Sequence, residues 1–408
     1  MAWLKGGCAP KFMHAGASAV VLGDAWPNPA QITISIVPDN TVLATISGNN
    51  IYSNLRSTFD AAFGTDVWEP VLFRAANMWA GYTDVNFITV DDNGAGVGSG
   101  SYQQGDPYMG DVRIGGCNLG STVYCQSYFP PPVNNYSLAG DILFNTAIPL
   151  NIGSNPDLFT VAAHELGHTL GLGHNGVQAS ALMYYIYNWV KSDCSSDDKM
   201  AVRGIYSGGY VRANDAYWPN NNSFANAQDL TSLLSGRQAT VQGLDIATSS
   251  SVEYFKVTAP SDTSSSIALR MQSSGISLLE PKLTVYASDQ TTVLGSASST
   301  GIGASVAVIL SGITANQLLY LKCQGNVSSF LGQGLYGLTL NFASNNSLAI
   351  SVSIPSYANG SPLHGGGGAL MAGCRAYANG KYKHFHIKKV RHDGLHDLND
   401  IVEHEHAW

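Results

Sequence analysis

Ile32, Ile34 and Ile36 alternate with polar residues, the period of a strand with one face buried, and residues 30–46 read as two short strands. Between residues 52 and 82 the spacing changes to threes and fours: Phe59, Ala62 and Phe63 lead into Trp68, Val71, Leu72, Ala75, Ala76 and Trp79. That is the apolar stripe of helical structure. DVNFITV, residues 84–90, is the next strand, and two more are predicted at 111–114 and 141–144. The Gly-rich stretch 91–110 between them is loop. A further helix has a marked start, with Asn155 as its cap, Pro156 in the first position and Asp157 at the positive end of the dipole. It runs through FTVAAHELGHTL and stops near Gly171 and Gly173. The last helix of this half begins at Ser195 or Ser196, carries Asp197 and Asp198 in its first turn, and ends before Gly208.

After Trp218 the pattern shifts. Seven short alternating segments follow between residues 252 and 354: EYFKV, IALRM, KLTVYA, SVAVIL, LLYLKC, YGLTLNF and LAISVSI, separated by Ser, Gly and Asn turns. Strands at that spacing argue for a β-sandwich. The chain therefore divides into an N-terminal segment 1–29, a mixed domain 30–212, a linker 213–222, an all-β domain 223–356 and a flexible His-rich tail 357–408. The length of 408 residues agrees with two folded cores rather than one.

Composition narrows the setting. Charged residues are only 12% of the chain and glycines number 44, a profile that suits a loop-rich exported protein. The net charge of -8 excludes a general attraction to nucleic acid or anionic membrane. No apolar run approaches a membrane span. The first residues have no clear apolar core of a signal peptide, so export is expected on composition and function, with the chain read as starting downstream of its native start or exported another way. Of the six cysteines none forms C-x-x-C; Cys117 and Cys125 bracket a short Gly-rich loop and are expected to bridge, with six free thiols as the alternative.

The chemistry sits in HELGHTLGLGH, residues 164–174. His164 and His168 are four apart and share one helix face, so two imidazoles can hold one zinc ion. Glu165 stands beside the first ligand, placed to act on a zinc-bound water. Gly171 lets the chain break from the helix, and His174 follows as third ligand. Three protein ligands leave the fourth position open, as a catalytic zinc requires. At this composition the full pattern arises by chance in on the order of one sequence in ten thousand.

These residues resemble the metzincin metallopeptidases, whose motif HExxHxxGxxH precedes a methionine turn. Ala181–Leu182–Met183–Tyr184 is similar to that turn and makes Met183 the apolar floor beneath the metal. HTLGLGH, ALMY, SSDDKMAVRGIYSGG and FRAANMWAGYTDVNF resemble the matrixins in particular, over roughly residues 30–210. Residues 221–343 are similar to the bacterial pre-peptidase C-terminal domain. The resemblance implies an α+β zincin fold of the metzincin type, a mixed twisted sheet with three main helices, followed by an all-β sandwich. It implies a secreted, monomeric zinc endopeptidase acting on protein or peptide substrates. An extended substrate would lie along an edge strand near residues 141–144. The β-sandwich would serve maturation, export or attachment to a surface.

Departures from the pattern set further expectations. No histidine lies between His14 and His164, so a second, structural zinc is not expected. GDILFN matches the matrixin calcium strand only at Gly140, Asp141 and Phe144, which leaves Asp141 as a candidate Ca2+ ligand. Cys8, in GGCAP, does not match the latency segment of matrixins. Tyr185 stands where matrixins carry proline and where astacins and serralysins carry a tyrosine that approaches the zinc. It reads as a wall of the specificity pocket, with a catalytic, oxyanion-stabilising role as the sharper alternative. The rival to an enzyme is a catalytically silent metzincin fold that binds a surface or glycan; retention of Glu165 argues against it. The tail histidines, His384, His386, His404 and His406 among them, read as a solvated segment, with metal binding as the alternative.

Overall fold

The computed structural model describes residues 19–21 and 24–343, apart from short gaps at 47, 99–103, 122, 135–136, 208–214, 218 and 264–265, and three strands of the tail. The expectations placed on Cys8, on the side chains of the tail histidines and on the strand LAISVSI fall outside the described residues. The chain splits into two compact units, residues 1–85 with 90–212 and 355–408, and residues 213–354 with 86–89.

In chain order the first half carries β1 (Ala19–Val21), β2 (Ile32–Ile36), β3 (Val42–Ile46), β4 (Asn49–Tyr52), α1 (Leu55–Phe63), α2 (Glu69–Ala80), β5 (Phe87–Thr89), β6 (Val112–Cys117), β7 (Val123–Tyr128), β8 (Ile142–Asn145), α3 (Leu158–Thr169), β9 (Leu172–Asn175) and α4 (Ser196–Tyr206). The helical pattern over 52–82 resolves into two helices, giving four in all among the described residues. Gly64, at φ +95°, ends the first of them. Strands β2, β6 and β8 run parallel, and β7 pairs antiparallel with β8. Every residue of β2, β6 and β8 is buried, as expected for strands covered on both faces. Helices α2 and α3 pack together, and Trp79 Nε1 donates to the Ala163 carbonyl at 2.9 Å.

Three expectations change here. The full sheet order is β19-β7-β8-β6-β2-β5, where β19 is the tail strand Met371–Arg375. Residues 142–145 are therefore interior, and the strand on their outer side is β7, for which the sequence pattern predicts no element. Cys117 and Cys125 are free thiols. Cys117 lies opposite Asn145 and Cys125 opposite Phe144, so β8 separates them by two strand spacings of about 4.8 Å each. That exceeds the span a disulfide bridges. The cap of α3 is Asp157, whose side chain accepts from Thr160 N, not Asn155, which lies outside the helix.

The second half is a β-sandwich. It has β10 (Gln228–Asp229), β11 (Gln238–Ile246), β12 (Val252–Thr258), β13 (Ile267–Gln272), β14 (Pro281–Tyr286), β15 (Val293–Ser298), β16 (Ser305–Leu310), β17 (Leu318–Gly325) and β18 (Gly334–Asn341). One sheet runs β10-β12-β17-β14-β15, the other β11-β18-β13-β16. Phe255, Val257, Leu283, Leu321, Leu338 and Leu340 belong to one buried cluster built from both sheets. Strands β11 and β15 are not among the seven segments expected: β15 is largely exposed, and the alternation of β11 is interrupted at Gln242 and Gly243. The tail, expected to be flexible, contributes β19 and the antiparallel pair β20 (Tyr382–Ile387) and β21 (Ile401–His406). The β-branched and aromatic residues of β20 and β21 favour strands, whereas β19, MAGCR, has none.

Candidate active site

Helix α3 is buried along its whole length, so its polar residues require partners inside the protein. His164 and His168 lie one turn apart with ring centroids at 4.7 Å. After Thr169 the chain turns sharply at Gly171, φ +90°, where an added Cβ would meet the Asp24 carbonyl oxygen at 2.3 Å. The turn feeds β9, which carries His174 back to the helix. His168 Nε2 then stands 3.1 Å from His164 Nε2 and 3.2 Å from His174 Nε2.

The hydrogen bonds at the far side of two rings decide what these nitrogens are. His164 Nδ1 lies 2.8 Å from the Leu182 carbonyl and His168 Nδ1 lies 2.6 Å from the Leu172 carbonyl. A carbonyl only accepts, so each Nδ1 carries the proton and each Nε2 presents a lone pair. Burial pushes the His164 pKa down to about 4, which keeps that ring neutral. Lone pairs facing one another at hydrogen-bond distance repel unless a cation lies between them. Ligand atoms of the three histidines all lie within 4.8 Å of one another, and this is the single group of three or more such side chains fit for a metal among the described residues. Three converging imidazoles suit zinc.

Glu165 is fully buried beside the cluster, and its Oε2 accepts from Ser127 Oγ of β7 at 2.6 Å. Met183 is buried under α3: a Cβ at Gly167 would meet its Sδ at 2.3 Å. The methionine turn is held from α4. Asp198 accepts from Leu182 N at 2.7 Å and from Met183 N at 3.2 Å, and closes a capping box with Ser195. The neighbouring Asp197 accepts from the Asn175 side chain. Tyr185 N donates to the Asn175 carbonyl at 3.3 Å, and its ring tilts against Tyr184 at 4.7 Å. Asp141 lies away from this cluster, inside the sheet, where its Oδ1 accepts from Arg113 N at 3.2 Å. Burial pushes its carboxyl up to about 8, against the pull of the Arg113 cation. Ser127 was invisible in the sequence, because the strand that bears it was not foreseen and a lone serine carries no spacing signal.

Two histidines on a helix, a glycine turn, a third histidine and a methionine turn below them define a metzincin-type site. Residues 28–207 match the family model of the matrixins. Among curated relatives, karilysin from Tannerella forsythia is 34% identical over 145 residues, covering 34% of this chain and 28% of its own. Metalloendoproteinase 5-MMP from Arabidopsis thaliana is 30% identical, covering 35% and 41% of the two chains. Human matrix metalloproteinase-16 is 31% identical, covering 33% and 23%. The chain thus spans well under half the length of these relatives. One solved structure, the pre-peptidase C-terminal domain of a Bacillus anthracis collagenase, is similar at 11% identity and a TM-score of 0.20, covering 28% of this chain and 94% of that one. The sandwich itself rests on the strand pairing described above.

Proposed function

We propose that this chain is a zinc-dependent endopeptidase that works outside the cell on protein or peptide substrates. The observation that carries the reading is the convergence of three imidazole nitrogens beside a buried carboxylate. His164, His168 and His174 would hold the ion. When bound, zinc supplies a Lewis acid for the scissile carbonyl and makes water acidic enough to attack near neutral pH. Glu165 takes a proton from the attacking water and returns it to the leaving amine nitrogen. The backbone edge of β7, one hydrogen bond from Glu165, is the surface along which an extended peptide would pair. Tyr185 is assigned to the pocket wall, with its ring tilted against that of Tyr184. The extracellular setting is supported by the low share of charged residues, 12%, and not by disulfides, since the described cysteines are free.

The test is metal content read beside cleavage. The purified chain should carry one equivalent of zinc, His168→Ala should lose it, and Glu165→Ala should keep it while losing cleavage. A zinc-loaded, folded chain that cleaves nothing would instead favour a binding protein.

A further inference from the structure

We infer that Ser127 is a positioning residue for Glu165. This rests on the endopeptidase reading above and assigns a part of that site which the motif does not contain. Both side chains are fully buried, and the Ser127 hydroxyl donates to Glu165 Oε2 at 2.6 Å. A buried carboxylate without donors either moves toward solvent or loses its charge. The Nδ1 protons of His164 and His168 are committed to the Leu182 and Leu172 carbonyls. The Ser127 hydroxyl therefore fixes the orientation of the Glu165 carboxylate through Oε2. Strand β7 is itself pinned to β8 by the pairing of Ser127 with Ile142, so the hydroxyl is presented from rigid backbone.

Two measurements test this, one of them independent of activity. In the metal-free chain, the Glu165 carboxylate band is isolated as the infrared difference between the native protein and Glu165→Gln. Ser127→Ala should shift that band and Ser127→Thr should leave it in place. In the zinc-loaded chain, Ser127→Ala should lower kcat by about 10- to 100-fold, the size of one hydrogen bond to a charged group. KM and zinc content should hold, and Ser127→Thr should restore turnover. An unshifted band would overturn the inference, as would a loss of zinc or a raised KM in place of lowered kcat. A native chain without cleavage would overturn the endopeptidase reading, while the infrared result still decides the role of Ser127.

A separate observation concerns the outer edge of β7. Tail strand β19 pairs with it antiparallel, Met371 opposite Tyr128, Ala372 opposite Ser127, Gly373 opposite Gln126 and Cys374 opposite Cys125. The same tail strand also approaches α3. We propose that residues 371–375 are an inhibitory strand occupying the place of a substrate backbone. Hydrogen exchange on the full chain should find the β7 amides protected beyond those bonded to β8. Gly373→Pro, which removes a donor from the pairing strand, should expose them and lower KM severalfold. A synthetic peptide spanning residues 369–377 should compete with substrate in that variant. Unprotected β7 amides in the native chain, or protection unchanged by Gly373→Pro, would contradict the proposal whether or not the chain cleaves peptides.

Discussion

His164, Glu165 and His168 are neighbours on one buried helix, yet each is fixed by a different element: the methionine turn, β7 and the start of β9. That division sets the expected effects of single substitutions. Glu165→Gln keeps the shape and the metal but removes the proton acceptor, so kcat should fall by about 100-fold or more at unchanged zinc content. Tyr185→Phe should leave turnover on a peptide substrate unchanged while altering side-chain preference; a large drop in kcat would assign the phenol to the oxyanion instead. The three histidines, Glu165, Gly171 and Met183 were legible in the sequence because their spacing is the geometry: a four-residue step is one helical turn, and a glycine marks the reversal. Ser127 was not legible, since its role arises from two segments 38 residues apart meeting in space.

At the level of elements, α4 acts on a site it does not enter. Asp198 grips the backbone of Leu182 and Met183, and the Leu182 carbonyl orients His164. Asp198→Ala should therefore weaken zinc binding by about 10- to 100-fold, read by competition against a chelator of known affinity, without touching any ligand. Unchanged affinity would mean that the turn holds itself. The helices were predictable because each has a strong apolar stripe and, at Ser195, a capping box. Strand β7 was not. VYCQSY carries little alternation because five of its six residues are buried, and the glycines around it suggested loop. Misplacing that strand also misplaced the substrate edge and made the Cys117–Cys125 bridge look feasible.

On the scale of the whole molecule, the sandwich contains a titratable group of its own. Glu253 lies on the core side of β12, where burial pushes its carboxyl up to about 8 although Tyr336 and Asn221 donate to it. In the unfolded chain it ionises near 4.5, whereas in the fold it keeps its proton until about 8. Between those values the unfolded state binds fewer protons, so stability falls as pH rises through that window and levels off above it. Thermal unfolding of the sandwich should thus move to lower temperature from pH 5 to pH 8.5, by less in Glu253→Gln; an identical shift in both would place the effect elsewhere. The sandwich was legible as a class from its regular turn spacing. Its exact strand count was not, because an exposed strand such as β15 lacks the apolar signal.

The most direct measurement is the digestion of a broad peptide library by the full chain, with cleavage sites read by mass spectrometry. Three conditions are compared: as purified, after a zinc chelator, and after zinc is restored, each beside Glu165→Ala. Internal cleavage that disappears with the chelator, returns with zinc and is absent in the variant is the predicted result. Cleavage that survives the chelator, or that Glu165→Ala performs as well as the native chain, would contradict the central claim that these three histidines and this carboxylate carry the chemistry.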